Sequence, residues 1–390
     1  MPSCLLALLL VLTTVSAPLL AQQEAQQTRS ERLSATLNDF HERYGFPGAT
    51  AAIVLSDGTL VTSAVWLADM ENGRAMTPKT PMLAASIGKT FVAAVVLDLE
   101  SKGDLSRADQ VSAYLGDRPW FDALPNADSI TLDQLLHHSS GLPDHVHLPA
   151  FQQSWQRLTT GEGRFDAEQL LSFVAGETPL FEAGKGWAYS DTGYVLLGLV
   201  IEAVTGKPWQ DVVRARLLDP LALQETIPSD RPDIPGLAVG YVDPDNPFGL
   251  ATRTADARGR LVWNPAVESA GGGFASTSAD LARWGHELFN GTAMDREYLD
   301  RLLERVPVAD DAPGIFYGTG VAIHAHASRG PVYGHAGWIP AYVSSLRHYA
   351  AHGVTVAFQI NTDVGVADNA SDLVPILEAA LADLAITMTQ

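Results

Sequence analysis

Ser86 and Lys89 stand three residues apart at the head of an apolar segment that runs from Ala84 to Leu99. Val92, Val95, Val96 and Leu99 recur at helical spacing, so a helix here sets the serine and the lysine one turn apart on a single face. A serine hydroxyl is a weak nucleophile until a neighbouring base takes its proton. A lysine can do so where its surroundings disfavour the ammonium form. Burial in an apolar helix pushes that way, and a helix N-terminus favours developing negative charge. The same residues also fit a capping serine followed by a solvated lysine, and the rest of the chain decides between these.

The elements that must hold such a pair can be read from the pattern. Residues 30–44 carry Leu33, Leu37, Phe40 and Tyr44 on one stripe of a helix. Residues 49–55 and 59–67 flank Asp57-Gly58 as a hairpin. The Ser86 helix ends before Gly103, the position a left-handed cap takes. Thr131-Leu132-Asp133-Gln134 opens another helix with a capping box, and helices follow over 166–174, 191–204 and 208–218. The period then changes: 320–327, 341–349 and 354–360 read as strands, and 373–384 as a closing helix. This order predicts an α+β fold in which N- and C-terminal segments form one antiparallel sheet flanked by helices. A mainly helical lobe, roughly residues 104–310, is inserted between them, with a cleft where the two meet.

Composition narrows the function. The net charge of −20 argues against nucleic acid or anionic lipid as partners. Residues 1–21 are uncharged, with an apolar run over 5–12 and small residues before Ala21, the pattern of an export signal cleaved after Ala21. That predicts a periplasmic or secreted protein, and the run is too short for a stable membrane anchor. A Gln-rich linker is expected over 22–29 and one catalytic domain over 30–390. The only cysteine, Cys4, falls inside the signal, so the mature chain has no thiol for disulfides, nucleophilic attack or metal binding. Only five of the 25 basic residues are lysines, which gives Lys89 more weight. His145-Val146-His147 and His324-Ala325-His326 have same-face spacing if extended, but no carboxylate-rich companion accompanies them. The expectation is no metal and no organic cofactor.

Four more stretches complete a pattern: Leu135-Leu136-His137-His138-Ser139-Ser140-Gly141-Leu142, Gly186-Trp187-Ala188-Tyr189-Ser190-Asp191-Thr192-Gly193-Tyr194, the Gly271-Gly272-Gly273 run leading to Asp280-Leu281-Ala282-Arg283, and Tyr333-Gly334-His335-Ala336-Gly337-Trp338. Taken with Ser86-Ile87-Gly88-Lys89, the chain resembles the serine β-lactamase and penicillin-binding-protein superfamily over nearly its whole mature length. A Gly-x-Ser-x-Gly elbow, the mark of an α/β-hydrolase, is absent.

The resemblance implies an acyl-enzyme on Ser86, with Lys89 and Tyr189 sharing the proton traffic. It implies an oxyanion hole from the backbone N–H groups of Ser86 and Trp338, and at Gly337 a strand that substrate approaches closely. Two positions depart from the family. Asp191 stands where an asparagine is common, and a carboxylate there can pair with Lys89, favour its charged form and leave Tyr189 the better base. His335 stands where lactamases carry lysine, which weakens a fixed charge for a substrate carboxylate and suggests binding that titrates near neutrality. His137 and His138 read as structural. The glycines at 271–273 serve either tight packing or substrate contact. The implied activity is a D,D-carboxypeptidase or esterase acting on D-amino-acid peptides, amides or esters. The alternatives are a β-lactamase and a penicillin- or peptidoglycan-binding module with little turnover.

Overall fold

The structure is a computed structural model that describes residues 17–158, 163–295, 297–309, 311–366 and 371–389. Strands β1 (Gly48–Val54) and β2 (Leu60–Asp69) form the expected hairpin, and β3 (Arg74–Ala75) extends it. The short strands β4 (Met82–Leu83), β5 (Ile227–Pro228) and β6 (Phe274–Ser276) make a separate three-stranded sheet in the order β4-β6-β5. In the last third, β7 (Val306–Pro307), β8 (Ile315–Tyr317), β9 (Ala322–His324), β10 (Val332–Ile339), β11 (Tyr342–Tyr349) and β12 (Val354–Ile360) follow in succession. The main sheet runs β3-β2-β1-β12-β11-β10-β9-β8-β7. Antiparallel pairing of Ala49 with Ile360 and of Val54 with Thr355 joins the two ends of the chain.

Alternation along β1 explains the layers. Ala49, Ala51 and Ile53 pack with Leu33 and Leu37 of helix α1 (Ala17–Tyr44) and with Leu373, Leu377 and Leu381 of the closing helix (Leu373–Thr389). Thr50 faces the other way, and its hydroxyl meets Ser278 Oγ at 2.7 Å on the helix Ser278–Phe289. Helices therefore cover both faces, so β1 and β12 are buried along their whole length.

Residues 22–29, expected to be a linker, are helical and continuous with α1. Gln, Glu, Ala and Arg form helix well without an apolar stripe, and Gln26 Nε2 anchors this stretch to Leu60 O at 2.7 Å. Residues 1–16 of the expected export signal lie outside the described residues. No helix among the described residues is long and apolar enough to cross a membrane.

Helix α2 (Gly88–Lys102) lies at the centre of the molecule and is buried on nearly every side from Gly88 to Leu97. Phe91 stacks on Trp284 with centroids 4.4 Å apart, and Trp284 Nε1 donates to Thr90 Oγ1 at 2.7 Å. Gly103 caps the helix at φ 79°. The capping boxes at Thr131 and Asp166 form as expected, and helix α3 (Asp191–Thr205) ends at Gly206.

Candidate active site

Three segments bring the chemistry to the head of α2. A 3-10 turn, Ala85–Ile87, carries Ser86 into the helix, and Ala85 holds φ 48°, left-handed for a residue with a Cβ. The turn follows β4, whose Leu83 pairs with Ala275 of β6, and Ala84 N donates to Phe274 O at 2.9 Å. That pairing draws residues 271–273 across α2. A Cβ on Gly88 would lie 1.8 Å from Gly272 O, an approach only glycine permits. The glycine run thus serves close packing, and it also aims the Gly271 carbonyl at Lys89.

Lys89 is fully buried. Its Nζ lies 3.0 Å from Ser86 Oγ, 2.5 Å from Gly271 O and in direct contact with Asp191 Oδ1 at the start of α3. An ammonium has three protons, and here each has an acceptor. Burial works against that charge, but the Asp191 carboxylate, seconded by Tyr189, more than offsets it and raises Lys89 above the ordinary lysine value. The expectation that burial would favour the free amine is therefore corrected: the pair with Asp191 wins, and Lys89 rests as a cation.

Tyr189 is positioned by the segment before α3. Gly184 N and Ala188 N donate to the carbonyls of Ser139 and His138, and Ser190 N donates to His138 Nδ1 at 3.2 Å. The Tyr189 ring packs 4.2 Å from the His138 ring and 5.0 Å from Lys89 Nζ. Its hydroxyl is buried without a hydrogen-bond partner. Burial pushes the phenol up to about 12, and the nearby Lys89 cation pulls it back only in part.

The cleft's other wall is β10. Gly337 is pressed so close to the Ser86 turn that a Cβ there would lie 2.3 Å from Ala84 O. Since β9 pairs only with Val332–Gly334, the far edge of residues 335–339 has no strand partner among the described residues. Trp338 stands half-exposed at the rim, its Nε1 3.3 Å from Asp363 Oδ2.

His335 departs from expectation. It is buried, with Nε2 2.8 Å from Tyr317 Oη and Nδ1 2.5 Å from Ala336 O. Burial together with the Lys89 charge holds it down to about 3. The structure therefore corrects the expectation of a histidine that titrates near neutrality and binds a carboxylate: His335 is neutral, and both ring nitrogens are engaged. The partners assign the Nδ1–H tautomer.

Other histidines fall into place. His137 bridges the Asp133 and Glu304 carbonyls, and His138 is the clamp on Ser190. His145-Val146-His147 forms a 3-10 turn with His145 buried and His147 largely exposed, so the two do not share a face. Among the described residues no group of three or more His, Cys, Asp or Glu is placed to hold a metal.

Two acidic residues had no signal of their own in the sequence. Glu268, three residues before the glycine run, lines the pocket beside Ser86 together with Asp191, Gly271, Phe151, Trp155 and Trp338. Its Oε2 is buried without a partner, and burial, offset in part by Lys89, pushes its carboxyl up to about 8. Asp144 is buried behind Asp191, and burial first, then the Asp191 charge, pushes it up to about 7. The pocket measures about 60 Å3, small beside the roughly 300 Å3 at which drug-sized pockets begin.

Comparison with known proteins agrees with this fold. The family model described as Beta-lactamase matches residues 33–381. Penicillin-binding protein 4 of Amycolatopsis lactamdurans is 26% identical over 347 residues, covering 86% of this chain and 84% of that one. Esterase EstB of Burkholderia gladioli is 32% identical over 199 residues, half of each chain. The crystal structure of a D-stereospecific amidohydrolase from Streptomyces sp. superposes with a TM-score of 0.72 at 28% identity, covering 87% of this chain and 94% of that one.

Proposed function

The chain belongs to the β-lactamase family, and from that premise we propose that it is an exported serine hydrolase that acylates Ser86 with small D-amino-acid amides or esters bearing a free amine. The observation that carries this reading is the set of carboxyl groups around the nucleophile. Asp191 and Glu268 line the pocket and Asp144 backs it, while the nearest cation, Lys89, has its three donors already engaged. An ammonium on the acyl group finds its partner in Glu268, whose Oε2 is unpartnered and whose carboxyl, held near 8 by burial, the incoming charge draws into the carboxylate form. A leaving group with a terminal carboxylate meets no free charge, since His335 is neutral. The D configuration is taken from the Streptomyces amidohydrolase, and the aromatic rim of Phe151, Trp155 and Trp338 favours an apolar side chain.

In this mechanism Ser86 Oγ bonds to the substrate carbonyl carbon while its proton passes to Tyr189 Oη. The Lys89 ammonium stabilises the phenolate needed beforehand. Backbone N–H groups of Ser86 and Trp338 take the oxyanion, each such donor contributing about 3 kcal/mol in the transition state. Tyr189 returns the proton to the departing amine or alcohol. Water then attacks the acyl carbon and gives its proton to Tyr189, which passes it to Ser86 Oγ as the bond between the acyl carbon and Oγ breaks, releasing the acid and restoring both Ser86 and the phenolate. Because the Tyr189 phenol sits near 12, the competent fraction climbs with pH, and turnover rises through the alkaline range.

The test compares a D-amino-acid p-nitroanilide, its N-acetyl counterpart, its L-enantiomer, a D-Ala-D-Ala-terminated peptide and a chromogenic cephalosporin. The expected order has the free-amine D-anilide first, with kcat/KM at least about tenfold above the N-acetyl form, the scale of one lost charge contact. Preference for the peptide or the cephalosporin replaces this reading with carboxypeptidase or lactamase action. Stoichiometric acylation without turnover makes the protein a binding module.

A further inference from the structure

The largest hollow near the site does not open onto Ser86. It lies on the opposite side of the 3-10 segment Pro265–Gly271, which separates the two spaces: Val267, Glu268 and Gly271 face the Ser86 pocket, whereas Ala266, Ser269 and Gly273 line the outer hollow. Ser269 holds φ 44°, and this turn sends neighbouring residues to opposite sides. The hollow measures about 420 Å3, within the range of small-molecule sites.

Its lining has a definite character. Asp166, Glu168, Glu202 and Asp230 bring four carboxylates against the single guanidinium of Arg164. Asp230 is engaged by Arg231, and Glu168 faces Arg118 at 3.9 Å. Glu202 has no ion-pair partner among the described residues. It accepts only the Trp209 N–H, at 3.2 Å, and partial burial raises its carboxyl. The second observation is Ser229. Its side chain is 1% exposed, lines the hollow, and leaves Oγ with no hydrogen-bond partner, although its N–H donates to Gly273 O at 3.0 Å. A buried hydroxyl without a partner is costly, and a ligand can supply the missing bond. The rings of Trp209 and Phe165 provide an apolar bed beside these groups.

We propose that this hollow is a binding site, separate from the Ser86 cleft, for a small primary amine with an apolar body: the ammonium meets Glu202, a polar contact reaches Ser229 Oγ, and the body lies on Trp209 and Phe165. The proposal stands apart from the catalytic reading, because none of these side chains lines the Ser86 pocket.

The experiment is calorimetric titration of 2-phenylethylamine, and of the uncharged 2-phenylethanol, into the full chain and into Glu202→Gln, Ser229→Ala and Glu268→Gln, with folding of each variant checked by its melting curve. The expected result is saturable binding of the amine that persists one-to-one after the Ser86 cleft is blocked with a fluorophosphonate. It weakens about tenfold in Glu202→Gln and a few-fold in Ser229→Ala, is unchanged in Glu268→Gln, and the alcohol binds at least tenfold more weakly. Should Glu202→Gln not fold, the Ser229→Ala and Glu268→Gln pair decides. No saturable binding, equal binding of amine and alcohol, or loss in Glu268→Gln alone overturns the proposal; the last result places the amine in the catalytic cleft.

Discussion

Two buried cations divide this molecule into a part that is finished and a part that is not. Arg107 is 8% exposed and reaches Glu100, Asp133 and Glu304, with Thr319 Oγ1 3.3 Å away. Lys89 is 0% exposed and has one carboxylate, one carbonyl and the Ser86 hydroxyl. Among the described residues, buried polar atoms without partners stand around Lys89 but not around Arg107: Tyr189 Oη, Glu268 Oε2 and His138 Nε2. A network built for stability satisfies its members, because each unpaired buried group costs on the order of 1–3 kcal/mol. These three stand where a substrate and a water molecule can complete them, as befits a site rather than a strut.

Breaking each cluster separates the two roles. Lys89→Met is expected to lower turnover of the folded enzyme about 10³-fold, since acid–base help of this kind is worth roughly 10²–10⁴, and also to lower stability by leaving Asp191 and the Gly271 carbonyl unpaired. Arg107→Leu is expected to cost about 2–4 kcal/mol of stability, less than a fully buried pair because Asp133 and Glu304 are partly solvated, with kcat of the folded enzyme retained. Denaturant melts and steady-state kinetics on both variants check this, and an interchange of the two effects breaks the comparison.

A smaller change sharpens it. Asp191→Asn removes a charge that raises the Tyr189 phenol and leaves the Lys89 cation to pull it down, so the alkaline rise in kcat shifts to lower pH. An unmoved profile shows that Tyr189 ionisation does not limit the reaction.

The last comparison concerns stability against pH. Glu268 has a folded-state value raised to about 8, so its contribution is fully present below the ordinary glutamate range, near 4.5, and is lost as pH rises toward 8. Asp144, at about 7, acts in the same sense. His335, held near 3, acts oppositely: its contribution is present above about 6.5 and is lost as pH falls toward 3. Melting temperatures of wild type and Glu268→Gln between pH 4.5 and 8.5 isolate the glutamate, and the variant should fall less steeply as pH rises. Parallel curves contradict the assignment.

Much of this arrangement is legible in the sequence because it is local. Helical period places Ser86 one turn from Lys89, Gly103 and Gly206 mark helix ends, and Asp57-Gly58 marks the hairpin. The pairing of Lys89 with Asp191 follows from a carboxylate standing where an amide is common. What is not legible depends on partners far away in the chain. His335 is neutral because it is buried, with the Lys89 charge nearby and Tyr317 on its Nε2, and no feature of residues 333–338 carries that information. Glu268 is an ordinary glutamate until β6 pairs with β4 and folds the segment before it against α2. Residues 22–29 mislead for the opposite reason, since polar helix formers lacking an apolar stripe read as a linker.

The most direct measurement is intact mass spectrometry, with peptide mapping, of the protein after brief exposure to a fluorophosphonate and to a slowly hydrolysed D-amino-acid ester, with Ser86→Ala as control. The account predicts a single adduct from each reagent on the peptide carrying Ser86, absent in the control, with the ester adduct decaying faster as pH rises. Adducts of equal yield on Ser86→Ala, or none on the wild type, contradict the claim that Ser86 is the nucleophile.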